Sequence, residues 1–173
     1  FLAAGSVIHA LGGIQEMPQM GGLRKKIPWT YWTMLMGALA LAGAPLFSGF
    51  FSKDLILFQS FASPYGSKAL WVLGIAAALL TSFYMFRLIF LTFFGAPRYD
   101  QHAIHVHESP RDMLAPLVVL AALAVGGGWV AAPILWGGTN YFAQYLAPVF
   151  ASSNARMAQA ALAHPVENEA AVE

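Results

Sequence analysis

Lys53 and Asp54 stand inside a long apolar segment, where ionisable side chains are rare. They end the run LALAGAPLFSGFFSKD, and a charge at membrane depth is costly enough to indicate a functional role. An amine that can lose and regain a proton is what a proton relay requires. The alternative is a lysine whose long side chain reaches outward to the membrane surface. The position of Lys53 alone leaves both interpretations open.

The residues beside Lys53 predict the local electrostatics. We expect Ser52 to cap a helix that starts here, and Asp54 in its first turn to complement the positive end of the helix dipole. Lys53 in the same turn would lie against that dipole, and burial would add a desolvation cost, so both effects favour the neutral amine. Asp54 is either this dipole-complementing residue or a counter-charge that tunes Lys53, although neighbours at i and i+1 do not face each other on a helix.

Histidines are the other candidates, because imidazole changes charge near neutral pH. His9 closes the apolar run FLAAGSVIHAL and is either a proton carrier or a packed, interfacial histidine. Three more lie in HAIHVH at 102–107, near Asp100 and Glu108. A metal site there is conceivable, but we favour a solvated loop. We predict no metal site and no catalytic residue of the enzymatic kind in this chain.

The elements that position these residues are predicted to be membrane helices. Of the 173 residues, 58% are hydrophobic and only 10% are charged, whereas a soluble domain has about 25% charged residues. The chain has no Cys, which excludes disulfides and Cys-ligated zinc or iron–sulfur clusters within it. No basic stretch is long enough to bind nucleic acid. We therefore expect an all-α, polytopic transmembrane helix bundle.

Apolar blocks predict the spans of this bundle. The blocks are a partial span over 1–12, a broken span over 29–62, spans over 69–95 and 113–136, and an interfacial segment over 140–151. Together they form a bundle over 1–151, and 152–173 is predicted to be a polar, poorly ordered tail. Because the first block is too short to cross a bilayer, we expect the chain to be a fragment whose first helix begins upstream.

The block over 29–62 is too long for one straight span. Roughly 33 residues would extend about 50 Å at 1.5 Å per residue, and the hydrocarbon core is only about 30 Å thick. Gly43, Pro45 and Gly49 interrupt the block, and proline removes a backbone donor and clashes with the preceding turn. We predict one discontinuous helix, broken between about Ala44 and Ser52.

Basic residues predict the orientation. Arg24, Lys25 and Lys26 lie in the first loop, and Arg98 and Arg111 lie in the loop before the fourth block. The positive-inside rule places these two loops in the cytoplasm. Two predicted spans, over 29–62 and 69–95, separate these loops, as is required of two loops on the same side of a membrane.

Five segments in the order of the chain carry a family resemblance. They are FLAAGSVIHAL, MGGLRKKIP, LALAGAPLFSGFFSKD, FYMFRLIFLTFFG and HESPRDMLAPLVVLA. Together they resemble subunit L of NADH-quinone oxidoreductase (respiratory complex I), the homologue of mitochondrial NADH dehydrogenase chain 5, over a stretch from its C-terminal half. Related modules occur in multi-subunit cation/proton antiporters and membrane-bound hydrogenases, but the last two segments favour subunit L.

The resemblance implies an antiporter-like fold in which a discontinuous helix carries a lysine on a polar axis at mid-membrane. Lys53 matches that lysine and Asp54 its neighbour, while His9 matches a histidine of the hydrated path. The break at Pro45 would admit water and leave backbone groups able to line the path. The implied proton path therefore comprises Lys53, Asp54 and His9.

The resemblance also implies the surroundings of the chain. The function would be proton translocation, driven by NADH oxidation and quinone reduction in partner subunits. Those membrane and peripheral subunits would hold NADH, FMN, the iron–sulfur clusters and quinone, and this chain would hold no cofactor. Its other partner would be the lipid bilayer of a bacterial inner membrane. The alternatives are the large subunit of a multi-subunit Na⁺/H⁺ antiporter and a membrane scaffold that does not pump.

Overall fold

A computed structural model describes residues 1–62, 66–130, 144–151 and 153. Its helices are α1 (Leu2–Ala10), α2 (Pro28–Ala42), α3 (Ser48–Ala62), α4 (Lys68–Phe93) and α5 (Arg111–Gly126), with short 3-10 turns at Met17–Gln19, Leu23–Lys25 and Gly127–Val130. No strand occurs among these residues, and the predicted all-α class is confirmed.

The chain divides into two compact units, Phe1–Trp129 and Val130–Glu173. The first unit contains α1 to α5. In the second, 144–151 is helical and coincides with most of the predicted interfacial segment over 140–151. The described residues do not include the remainder of that segment or the predicted end of the last span at 136. Of the predicted tail over 152–173, they include only Ser153.

Among the described residues, two helices are long and apolar enough to cross a membrane. They are Lys68–Phe93, with 26 residues, and Arg111–Trp129, with 19 residues. Almost none of either apolar stretch is buried within the chain, so these side chains face outward. Helices α2 and α3, of 15 residues each, occupy the block over 29–62.

The hydrophobic core lies at one end of the first unit. Its most deeply buried residues come from the first loop, the start of α2 and the end of α4: Leu11, Leu23, Ile27, Ile89 and Phe93. Helix α3 has no buried residue. Packing is therefore concentrated at the end that carries the two basic loops.

The two basic loops lie against each other. The backbone N–H of Gly22 donates to the Phe94 carbonyl at 3.4 Å, and the Arg98 guanidinium donates to the Met17 carbonyl at 3.4 Å and to the Leu91 carbonyl at 2.7 Å. This contact is what we expect of two loops on the same side of a membrane.

Candidate functional site

Helix α2 ends in a hydrogen-bonded cap at Gly43. Gly43 adopts the left-handed conformation, with φ 83° and ψ 38°. Its N–H donates to the Ala40 carbonyl at 3.2 Å, and the next N–H, of Ala44, donates to the Leu39 carbonyl at 2.9 Å. This is the Schellman pattern, which favours glycine because it requires a positive φ. It satisfies two of the last four carbonyls of the helix.

The other two terminal carbonyls of α2 are bound by side chains from later helices. The Lys53 ammonium Nζ donates to the Leu41 carbonyl at 2.6 Å, and the Ser82 hydroxyl donates to the Ala42 carbonyl at 3.3 Å. A cation interacts favourably with the negative end of a helix dipole. The partly buried Lys53 is thus a charged cap for the end of α2.

A tight turn connects α2 and α3. The Phe47 N–H donates to the Ala44 carbonyl at 3.2 Å, with Pro45 and Leu46 between them. Pro at the first central position and a positive φ, 76° at Leu46, are typical of a type II turn. A leucine rarely adopts this conformation. The interruption covers 43–47, so it ends earlier than the predicted window of 44–52.

The prediction that Ser52 caps the second helix is wrong. Helix α3 begins at Ser48, because the tight turn needs only residues 43–47. The Ser52 hydroxyl donates to the Gly49 carbonyl at 3.2 Å, within the helix. Lys53 and Asp54 therefore lie beyond the first turn of α3, and the Lys53 charge meets the negative end of α2 rather than the positive end of α3.

Gly49 lets α3 approach the end of α2. A Cβ atom at this position would lie 1.8 Å from the Ala40 carbonyl oxygen, a distance that no side chain tolerates. A Cβ at Gly43 would lie 3.2 Å from Cδ of Lys53. These glycines and Pro45 set the geometry that brings the Lys53 ammonium to Leu41.

Two clefts flank Lys53 and the carbonyl it binds. A cleft of about 490 Å³ runs along α2 between α1, α4 and α5, and its wall includes Thr33, Gly37 and Leu41. A smaller cleft of about 160 Å³ between α3 and α4 is lined by Lys53 and Thr81. The Lys53–Leu41 hydrogen bond thus joins a residue of one cleft to a residue of the other.

His9 and Lys53 lie at opposite ends of α2. His9 is in the last turn of α1 and is exposed. Its ring contacts the ring of His107 edge-on, at 5.9 Å between centroids. Asp54 is next to Lys53 in sequence and is exposed. The structure therefore brings His9 to the loop before α5 and not to Lys53.

The sequence reasoning missed the role of Glu108, which binds the first turn of α2. Its Oε2 accepts from the Trp29 N–H at 2.9 Å, and its Oε1 accepts from the Thr30 N–H at 3.3 Å and the Thr30 hydroxyl at 2.5 Å. Ile27 at the N-cap has no polar side chain to serve these donors. That missing cap is the signal in the sequence that a distant group must supply it.

Buried hydroxyls extend from this carboxylate. The Ser6 hydroxyl lies 2.9 Å from the Thr30 hydroxyl and is also hydrogen-bonded to the Ser109 hydroxyl. Ser6 and Thr30 are fully buried and Ser109 nearly so. Four side chains from α1, α2 and the loop before α5 therefore form one connected polar cluster, which we call the Glu108 cluster.

The loop at 102–107 has exposed histidines, while Ile104 and Val106 pack against the core. Within the described part of the chain, no three His, Cys, Asp or Glu side chains are grouped as a metal would require. The loop is therefore anchored by its apolar residues and by Glu108.

Comparison with known proteins finds one family model and several curated relatives. The family described as "NADH:quinone oxidoreductase/Mrp antiporter, TM" matches residues 1–81. The chain is 50% identical over 142 residues to NADH-quinone oxidoreductase subunit L of Rhodobacter capsulatus, covering 75% of this chain and 20% of that protein.

Two chain 5 proteins show the same similarity. NADH-ubiquinone oxidoreductase chain 5 of Dictyostelium discoideum is 49% identical over 133 residues, covering 75% of this chain and 20% of that protein. The wheat (Triticum aestivum) chain 5 is 40% identical over 169 residues, covering 95% of this chain and 25% of that protein. The chain thus spans between a fifth and a quarter of the length of these relatives.

Proposed function

Because this chain belongs to the family of NADH-quinone oxidoreductase subunit L and NADH-ubiquinone oxidoreductase chain 5, we propose that it carries part of a transmembrane proton path in a respiratory NADH:quinone oxidoreductase. The resemblance drawn from the sequence is confirmed by these relatives. Proton pumping is a property of the whole subunit, of which the chain spans about a fifth. The proposal for this chain therefore depends on its own residues.

The observation that supports the proposal best is the position of Lys53 at the helix break. Its ammonium is held on the Leu41 carbonyl at 2.6 Å, between the larger cleft along α2 and the smaller cleft between α3 and α4. A carbonyl oxygen fixes the ammonium without taking its proton. Lys53 would pass its proton to water in the smaller cleft and regain one from the larger cleft.

The end of α2 gives this cycle its electrostatic basis. The Leu41 carbonyl and the negative end of the α2 dipole hold the Lys53 ammonium through a charge-assisted hydrogen bond, and that bond weakens when the amine loses its charge. Charge changes in neighbouring subunits, driven by redox chemistry, would supply the free energy for that loss. Asp54, exposed beside Lys53, would tune this balance, and His9 would act as a relay at the other end of α2.

The proposal assigns the redox chemistry to other subunits. NADH, FMN, iron–sulfur clusters and quinone would be bound there. The 173 residues include no Cys, so they supply no thiolate ligand to a cluster. The partners of this chain would be the other membrane and peripheral subunits and the lipid around α4 and α5. The relative from Rhodobacter capsulatus supports a bacterial inner-membrane location.

The test is the variant Lys53→Ala in the parent complex, reconstituted in sealed vesicles. NADH-driven quinone reduction and proton uptake are recorded in the same sample. We expect protons moved per electron to fall by roughly half or more, because the ionisable group on the path is removed. The matched control is Lys68→Ala, which removes a lysine from the exposed start of α4 and should leave pumping unchanged.

Other outcomes favour the alternatives. Wild-type rates of both processes in Lys53→Ala would mean that Lys53 is an interfacial anchor and that the chain is a scaffold. Sodium movement without any dependence on NADH would favour the Na⁺/H⁺ antiporter; the family description also names an antiporter.

A further inference from the structure

We infer that the Glu108 cluster is the proton-uptake end of this path and delivers protons to the cleft along α2. The inference rests on the proposed function and deepens it, because it names the groups that would supply Lys53. It uses a carboxylate and three hydroxyls that lie far from Lys53 in the sequence.

Glu108 lies where a proton could be taken from water and passed inward. The side chain is partly buried, and its carboxylate accepts two backbone N–H groups at the start of α2 and the Thr30 hydroxyl at 2.5 Å. His107, the preceding residue, is exposed, and its Nδ1 lies 3.0 Å from the Glu108 backbone carbonyl oxygen. Its ring contacts the exposed ring of His9, so two solvent-exposed imidazoles lie at the Glu108 backbone.

Buried hydroxyls continue from this carboxylate. Thr30 contacts Ser6 at 2.9 Å, and Ser6 also contacts Ser109, the residue after Glu108 in the same loop. A hydroxyl both donates and accepts, so a proton passed from Glu108 to Thr30 can move on to Ser6 when each hydrogen bond reverses. Because Ser6 and Thr30 have no exposed surface, bulk water does not replace these bonds.

The cleft along α2 begins one turn further into the bundle. Thr33, three residues after Thr30, lines it, as do Ala3 and Ala4, which precede Ser6. Its far end includes Leu41, whose carbonyl holds Lys53. A volume of about 490 Å³ is ample for a file of waters at about 30 Å³ each.

The walls of the cleft are mainly apolar, so the polar groups at the two ends of α2 determine whether water occupies it. Apolar cavities hold water poorly, and polar partners retain it. The Glu108 cluster and the Lys53–Leu41 pair are the polar groups at the two ends. Water would therefore connect them only while both ends can hydrogen-bond it.

A purely structural role for Glu108 makes a different prediction. As a cap, Glu108 uses both carboxylate oxygens to accept backbone N–H groups, and Glu108→Gln keeps one of these acceptors while removing the exchangeable proton. We expect Glu108→Gln to assemble, to reduce quinone, and to lose the same share of protons per electron as Lys53→Ala in the same vesicle assay. Glu108→Asp should recover part of that loss.

Thr30 provides an independent test in the same assay. Thr30→Val removes the hydroxyl and keeps the shape, whereas Thr30→Ser keeps the hydroxyl. We expect pumping to fall in the first variant and to match wild type in the second. The control is Glu16→Gln, because Glu16 is an exposed carboxylate bonded to Gln19 and should be dispensable.

The outcomes separate the inference from the proposed function. Wild-type pumping in Glu108→Gln beside a loss in Lys53→Ala overturns only the inference. Wild-type pumping in Lys53→Ala overturns the proposed function, and with it the inference that rests on it. If Glu108→Gln does not assemble, the Thr30 pair decides: wild-type pumping in Thr30→Val, or equal losses in Thr30→Val and Thr30→Ser, overturns the inference.

Discussion

Gly49 is the residue at which the two halves of the broken helix come closest. The Ala40 carbonyl oxygen occupies the space that a Cβ would need, at 1.8 Å. A backbone oxygen cannot rotate away as the end of a side chain can. Any larger residue at position 49 therefore has to separate α3 from the end of α2, which also moves Lys53 from Leu41.

We predict that Gly49→Ala destabilises the subunit by at least about 2 kcal/mol, the usual cost of overpacking a tight contact. The measurement is the midpoint temperature at which the parent complex loses its assembled form, followed in detergent. Gly126→Ala is the matched control, because a Cβ at Gly126 in α5 meets no atom within 4 Å. An equal midpoint for the two variants would contradict the close approach.

Helix α2 is capped at both ends by ionisable side chains from other elements. Glu108 comes from the loop before α5, and Lys53 comes from α3. Each charge has the sign that complements the dipole at its end of the helix. The helix thus depends on two groups that are distant in sequence, and each group is positioned by the helix.

The break in the long apolar segment could be predicted from the sequence, but the residue at which α3 begins could not. Length and the residues Gly43, Pro45 and Gly49 indicated an interruption, which the structure has at 43–47. The start of α3 depends on the contact of Gly49 with Ala40 and on a positive φ at Leu46. The contact is a tertiary feature, and a positive φ at a leucine runs against local propensity, so neither follows from the local sequence.

The partner of the α2 N-terminus was harder still to predict. Glu108 lies 78 residues from Thr30, and no local pattern joins them. The sequence does show that Ile27, before Pro28, cannot cap the helix. A missing local cap shows that another group has to serve these donors, but it does not show which one.

At the end of α2, we predict a difference between two glycines that share a positive φ. Gly43 and Gly95 have φ of 83° and 80°, so alanine at either should cost about 1 kcal/mol in backbone strain. Only at Gly43 does the added Cβ meet Lys53, at 3.2 Å from Cδ. Gly43→Ala should therefore lower protons moved per electron, and Gly95→Ala should not.

The measurement is again proton uptake and quinone reduction in one vesicle sample. Equal pumping in the two variants, with similar losses of stability, would show that the contact between Gly43 and Lys53 does not matter for transfer. A loss in both would point to backbone strain as the cause.

In the first compact unit as a whole, packing is uneven. Phe93 at the end of α4 is 1% exposed, whereas Phe83, ten residues earlier on the same helix, is 69% exposed. The core lies around α1, the basic loops, the start of α2 and the end of α4. The half that contains α3 relies on lipid or on other chains to cover its apolar surface.

We predict that Phe93→Ala costs about 3 kcal/mol or more, as expected when a buried aromatic leaves a cavity. Phe83→Ala is the matched variant on the same helix and should cost under about 1 kcal/mol if lipid covers it. The thermal midpoint of the parent complex measures both. An equal loss in Phe83→Ala would show that another polypeptide packs on this part of α4.

The two charges that cap α2 are separated by nearly the length of that helix, about 22 Å for 15 residues. Aligned with the membrane normal, this is roughly three quarters of a hydrocarbon layer about 30 Å thick. Because one elementary charge is worth about 2.3 kcal/mol per 100 mV, a proton passing from Glu108 to Lys53 would work against about 1.7 kcal/mol per 100 mV of membrane voltage. This stretch, more than the transfers on either side of it, should therefore make the rate of the path voltage-dependent.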